Sequence, residues 1–390
     1  MRIRSIDLLR ALTMFLMLWV NDFWTLTDVP KWLAHAKAGE DYLGFSDIIF
    51  PLFLFIVGLS IPLAIKNRIE KNHDRFTISK HIIIRSLSLL VIGVFMVNYE
   101  TIHADSLAIN KFLWCILMAT GVFLIWTNWK KSPLPVKWHI PLQLAGQLLF
   151  VLLAVLYKGG ETGDIWMRTQ WWGILGLIGW AYLLNALVFL FAKGNFSVML
   201  VLWIVLNGLS VLSHTDSALS FEGPIRYLSV ILNGTIPAFT TAGIITTLVL
   251  KKLTVKKQSV VYPTLALLGL VCIVLGYVSR PLWGISKIGG TPSWLGICTG
   301  IGFLSFLALH YLVDIKNYGN WAKILAPAGT ATFTCYMLPY FIYPIRNWLN
   351  ISLPNELLTG SIGLVSALIY ALMVVILTGW MERKGIKLKL

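Results

Sequence analysis

Apolar runs long enough to cross a bilayer follow one another along almost the whole sequence. At roughly 20 residues each, they fall at about 5–25, 45–65, 80–98, 112–128, 138–157, 170–192, 196–213, 227–250, 260–278, 293–314, 324–345 and 357–380. Hydrocarbon offers a backbone no hydrogen-bonding partner, so each run must satisfy its own N–H and C=O groups by forming a helix. The pattern predicts an all-α fold, a polytopic integral membrane helical bundle of about 10–12 transmembrane helices. A share of 57% hydrophobic and 13% charged side chains over 390 residues excludes an ordinary soluble domain. No linker or shift in composition divides the chain, so residues 1–390 are expected to form a single integral-membrane domain.

The formal charge of +15 would suggest nucleic acid in a soluble protein. Here the basic residues are sorted by loop, and no nucleic-acid partner is implied. MRIR, KNRIEKNHDR, NWKKSPLPVK, KKLTVKK and ERKGIKLKL fall on one side, while ETIHADS, KGGETGD, SHTDSALSFEG and NWLNISLPNE fall on the other. The positive-inside rule then makes both termini cytoplasmic and puts the loop holding His35 outside. The first run follows MRIR directly and is too long for the core of a cleavable signal, so it is expected to remain as a helix. Cys115, Cys272, Cys298 and Cys335 all lie in apolar runs without a CxxC pair and read as small buried residues, with no metal site implied. No phosphate-binding glycine loop or GxSxG elbow is present, and no internal repeat stands out.

Polar residues concentrate at one place. Between Leu18 and Pro62 the chain leaves an apolar run at Asn21 and Asp22, crosses a loop holding His35, and enters the next run at Asp47. Polar groups at such entries are costly unless they face protein or water, which makes Asn21, His35 and Asp47 candidates for one site. The alternative is that Asn21 and Asp47 are helix-end residues and His35 is a solvated loop histidine. Asp7 and Arg10 are three apart on one helical face and suit mutual neutralisation. Arg85 lies inside the third run without a carboxylate within a helical turn. It either snorkels to headgroups or forms a positive mouth for a phosphate-bearing molecule. The segment SRPLWGISKIGGTPSWLG enters the tenth run through Lys287, Thr291, Pro292 and Ser293 as a packed irregular loop. Trp24, Trp32, Tyr42, Trp283 and Trp294 are expected near the outer face, as an interfacial belt or as an aromatic floor for a sugar ring.

In its ordered motifs the chain resembles the heparan-α-glucosaminide N-acetyltransferase family. The family's S-[LVI]-D-x-x-R-[GA] opening is matched by Ser5, Ile6, Asp7, Arg10 and Ala11, and its V-N by Val20 and Asn21. Its H-A and D-x-[VI]-F-P-x-F-x-F-I-x-G-x-S are matched by His35, Ala36, Asp47, Ile49, Phe50, Pro51, Phe53, Phe55, Ile56, Gly58 and Ser60. Arg85 with Ser86, Val97 with Asn98, and then Lys287, Thr291, Ser293 and Asp314 follow later patterns. The family's G-V-L-Q-R is replaced by Cys115, Ile116, Leu117, Met118 and Ala119, and the aromatic of K-x-x-W by Gly290.

The resemblance implies a membrane acetyltransferase that takes acetyl-CoA as co-substrate from the cytoplasmic side and delivers the acetyl group to an amino-sugar acceptor on the other side. It implies His35 as the catalytic residue and a homodimer; a heparan-like polymer is not implied. An imidazole suits the base that a sugar amine needs. Asp47 would orient the ring and Asn21 would hydrogen-bond an oxyanion, with Lys287, Ser293 and Trp32 on the acceptor side. Arg85, Arg10 and Asn98 are expected on the cofactor side. Whether His35 is a base or an acetyl carrier stays open. A transporter for an N-acetylglucosamine-type sugar and an O-acetyltransferase acting on a cell-envelope glycan are the competing expectations. The expected location, among membrane lipids, is a bacterial cytoplasmic membrane.

Overall fold

The computed structural model describes residues 3–215, 223–254 and 258–390. Met1 and Arg2 of MRIR, residues 216–222 of the SHTDSALSFEG loop and 255–257 of KKLTVKK lie outside the described residues. In chain order the helices are α1 (Arg4–Asn21), α2 (Ser46–Glu70), α3 (Arg75–Glu100), α4 (Lys111–Trp126), α5 (His139–Leu156), α6 (Ile174–Phe191), α7 (Phe196–Leu212) and α8 (Ser229–Leu232). They continue as α9 (Thr235–Thr254), α10 (Gln258–Val278), α11 (Arg280–Trp283), α12 (Pro292–Leu309), α13 (Ala326–Thr330), α14 (Thr332–Met337), α15 (Pro339–Trp348) and α16 (Gly360–Arg383). The fold is all-α and polytopic.

Eight of the described helices are long and apolar enough to cross a membrane, and α4 and α7 are shorter apolar helices. Arg4, Asp7 and Arg10 load α1 with charge, although it occupies the first apolar run. The run at 324–345 differs from the single span its composition predicts. It is divided into α13, α14 and α15 because Ala331 leaves helical backbone (φ −122°, ψ 41°) and because Pro339, at the start of α15, supplies no N–H to a ladder running back into α14. Asn110 and Asn195 start α4 and α7 by accepting backbone N–H bonds at 2.8 Å from Phe112 and Ser197.

The described chain divides into two compact units. The first takes the chain up to Thr13, residues 30–88 and residues 177–321. Within it α2 and α9 cross closely. A Cβ at Gly58 would stand 1.9 Å from Thr240 O, and one at Gly243 would stand 2.0 Å from Phe55 O, so only glycines permit the approach. Hydroxyls then bond across the crossing, Thr240 to Leu54 O at 3.2 Å and Thr247 to Leu59 O at 2.9 Å. Phe55 and Phe303 meet edge to face in the core beside them.

The second unit takes Met14–Val29, Leu89–Gly176 and Ala322–Leu390. Met14, Leu18, Cys335, Ala371 and Val375 form one of its cores. The C-terminal tail is fastened to the loop after α4: the Asn128 N–H donates to Lys387 O and the Lys389 N–H to Trp126 O, both at 2.7 Å. Leu388 is buried there.

Candidate active site

The loop before α2 folds back onto the start of that helix. The Leu33 and Ala34 N–H groups both donate to Pro30 O, which tightens the first turn. The Phe45 N–H then donates to Trp32 O at 2.7 Å and the Ser46 N–H to Leu33 O at 3.1 Å. These bonds bring two passes of backbone so close at Gly44 that a Cβ there would lie 1.8 Å from Ala34 O. Glycine is the residue type that permits this crossing.

The product of this folding is a buried carboxylate with all its neighbours fixed. Asp47, in the first turn of α2, is 1% exposed. Its Oδ2 accepts the N–H groups of Ala36 at 2.9 Å and Gly44 at 3.2 Å, and its Oδ1 lies 2.8 Å from His35 Nδ1. The helix start also favours the anion. The Trp294 indole N–H donates to Asp47 O at 3.2 Å and braces the same turn from α12. His35 has 40% of its side chain exposed, so a held inner edge is paired with an open outer one.

Lys287 reaches this pair from the loop between α11 and α12. Its Nζ lies 3.2 Å from His35 Nδ1 and 3.8 Å from Asp47 Oδ1. One ring nitrogen cannot donate to Asp47 and accept from Lys287 at once. We assign the proton to Nδ1, because the carboxylate is the nearer partner and a pure acceptor. Nε2 then carries the lone pair. Burial pushes the Lys287 ammonium below its ordinary pKa, opposed by the Asp47 carboxylate.

The Lys287 loop is itself clamped. Thr291 caps α12, with its Oγ1 accepting the Ser286 N–H at 3.0 Å and the Trp294 N–H at 3.4 Å. His214 and Thr235 bond Gly289 O and Gly290 O, each at 2.9 Å. Asp41 ties the two loops together: it accepts the Ile285 N–H at 2.6 Å and both its oxygens bond Arg280 Nε. The Ile285 N–H, and then the Arg280 guanidinium, hold the Asp41 carboxyl below the usual carboxylate range.

The other sequence-predicted residues are placed as follows. Trp32 is 62% exposed, with its carbonyl in the loop ladder. Ser293 is fully buried, and its hydroxyl pairs with Ser279 Oγ at 3.1 Å. Arg10 bonds Ser60 Oγ at 2.7 Å and Asp7 at 3.4 Å. Arg85 is exposed and lies over the Tyr182 ring at 4.8 Å. Asn21 and Asn98 belong to the second unit. Asn21 is exposed at the end of α1. Asn98 is buried, and its amide donates to Val94 O and Arg168 O while accepting the Arg168 N–H. Those bonds anchor the loop before α6. Among the described residues no three His, Cys, Asp or Glu side chains converge to hold a metal ion.

Three features here were missed in the sequence: Gly44, the Asp41 to Arg280 clasp, and the buried Asp22 next to Asn21. Asp41 and Asp22 carried a signal, an acidic residue at the edge of an apolar run, but their partners are distant in sequence.

Residues 2–149 match the family model described as "Heparan-alpha-glucosaminide N-acetyltransferase, catalytic". The chain is 32% identical over 97 residues to the human heparan-alpha-glucosaminide N-acetyltransferase and 31% identical over 97 residues to the mouse protein. Each match covers 25% of this chain and 14% of the relative.

Proposed function

We propose, from the premise that this chain belongs through residues 2–149 to the heparan-alpha-glucosaminide N-acetyltransferase family, that it moves an acetyl group from acetyl-CoA to the amine of a glucosamine-type sugar across a membrane. The observation that carries the reading is the His35 to Asp47 pair at 2.8 Å, with its carboxylate buried and its imidazole open. A thioester is attacked by a neutral amine, whereas a sugar amine is largely protonated near neutral pH, so the step requires a base.

With Nδ1–H directed to Asp47, His35 Nε2 takes the proton from the amine as nitrogen bonds to the thioester carbonyl carbon. Asp47 stabilises the imidazolium that results. Collapse of the tetrahedral intermediate breaks the C–S bond, and the same proton passes to the departing sulfur. Lys287 supplies a cation beside the pair, suited to an oxyanion developing at that carbonyl. His35 as transient acetyl carrier uses the same lone pair, with the thiolate leaving first and the amine attacking the acetyl-imidazole second.

The remaining assignments rest on motif position. Arg10 and Arg85 are read as the cofactor side, Lys287, Ser293 and Trp32 as the acceptor side, and Asn21 and Asn98 as further contacts. The sorting of basic loops supports cytoplasmic termini, a bacterial cytoplasmic membrane is the expected location, and a homodimer follows from the resemblance alone.

The test is sided transfer. Proteoliposomes given acetyl-CoA on one face and glucosamine on the other should accumulate N-acetylglucosamine on the glucosamine side, with one CoA thiol appearing per product. Sugar movement that ignores acetyl-CoA would instead indicate a transporter, and acetyl ester on a hydroxyl acceptor would indicate O-transfer.

A further inference from the structure

The second unit holds a carboxylate that the reaction above does not use. Asp22 follows α1 directly and is 6% exposed. Its Oδ1 accepts the Tyr343 hydroxyl at 2.7 Å and, more weakly, the Thr25 hydroxyl at 3.4 Å. Its Oδ2 has no hydrogen-bond partner among the described residues. Asp22 is not among the described side chains whose polar atoms are shut away from solvent without a partner, so Oδ2 is open to a donor arriving from outside.

A cation stands nearby without closing that gap. Arg346 lies within electrostatic range of Asp22, yet makes no ion pair with it among the described residues. The guanidinium instead lies over the Tyr343 ring at 5.6 Å. Tyr343 also meets Tyr370 at 5.4 Å and Trp24 edge-on at 5.4 Å. Trp24 is 63% exposed, so the aromatic group reaches the surface beside the carboxylate.

These features select one ligand chemistry. An organic ammonium would meet Asp22 but be repelled by Arg346, and an anion would meet the reverse. A hydroxyl suits both, because it donates to a carboxylate and accepts from a guanidinium at the same time. An adjoining aromatic edge suits the C–H face of a ring bearing that hydroxyl.

We propose that Asp22, Arg346, Tyr343 and Trp24 form a saccharide-binding subsite, in which a pyranose hydroxyl bridges Asp22 Oδ2 and the Arg346 guanidinium while the ring rests on Trp24. This goes beyond the transfer reaction and does not require it.

The test is titration of the purified wild-type protein, without acetyl-CoA, with the neutral sugars N-acetylglucosamine and methyl glucoside, read by calorimetry. Saturable binding is expected, weakened about tenfold or more by Asp22→Asn. Trp24→Ala, at an exposed position, should weaken it similarly with unchanged thermal stability, which keeps the test valid if Asp22→Asn folds poorly. Ethylammonium should not compete. Unchanged affinity in the Trp24 variant and in a folded Asp22 variant would overturn the proposal, as would no sugar binding in wild type or competition by ethylammonium equal to that of the sugars. His35→Ala should bind N-acetylglucosamine like wild type while losing transfer. Retained transfer in that variant, with subsite binding intact, would defeat the catalytic reading and leave the subsite standing.

Discussion

Asp47 Oδ1 lies 2.8 Å from His35 Nδ1 while Asp47 Oδ2 is held by the N–H groups of Ala36 and Gly44. The carboxylate therefore fixes both the tautomer of the imidazole and the loop that carries it. Its effect on catalysis is separable from its effect on folding through substitutions that retain its shape.

Asp47→Asn keeps the size of the side chain but removes the charge, and its amide N–H₂ faces one of three donors. The imidazole loses its reason to carry the proton on Nδ1. We expect acetyl transfer to fall by roughly 10²–10⁴-fold in kcat, measured as CoA thiol release, with the protein still monodisperse in detergent.

Gly44→Ala acts through the backbone. Its Cβ would stand 1.8 Å from Ala34 O, which no rotamer change relieves. The two passes of the loop must separate, releasing the Gly44 N–H from Asp47. We expect a lower Tm and a loss of transfer at least as large as that of Asp47→Asn, whereas Gly39→Ala, where a Cβ meets nothing within 4 Å but the backbone is left-handed, should cost stability without touching the pair.

The Asp41 clasp sets an acid limit. Because its folded-state pKa is held below the ordinary value, its contribution is fully present above the ordinary carboxylate range and is lost as pH falls through the lowered value. Thermal melts from pH 6 downward should show a steeper loss in wild type than in Asp41→Asn, which lacks the titrating group.

Lys287 has the opposite sign. Burial lowers its folded-state pKa, so between that value and the ordinary lysine value the unfolded chain binds more protons and stability rises with pH. Lys287→Met should remove that rise in alkaline melts while reducing transfer at neutral pH.

The sequence makes much of this legible and hides the rest for identifiable reasons. Helix positions follow from runs of apolar residues, a local property. The run at 324–345 is legible as apolar, whereas its division rests on the backbone at Ala331 and on Pro339 at the head of α15, which length and hydropathy do not weigh. His35 and Asp47 are 12 residues apart and share one loop, so pairing them needed only the entry into α2. Lys287 lies 252 residues from His35, and family pattern rather than spacing pointed to it. Asp22 with Tyr343, and Asp41 with Arg280, are separated by 321 and 239 residues. No local pattern announces such contacts. Ser293 is placed by its motif, while the hydroxyl it meets, that of Ser279, lies 14 residues away across an irregular loop.

The most direct measurement is acetyl-CoA turnover by purified wild type and His35→Ala, following free CoA thiol with and without glucosamine. Glucosamine-dependent thiol release in wild type, falling to background in a His35→Ala protein of unchanged melting behaviour, is the expected result. Equal thiol release by the two proteins would contradict a catalytic His35.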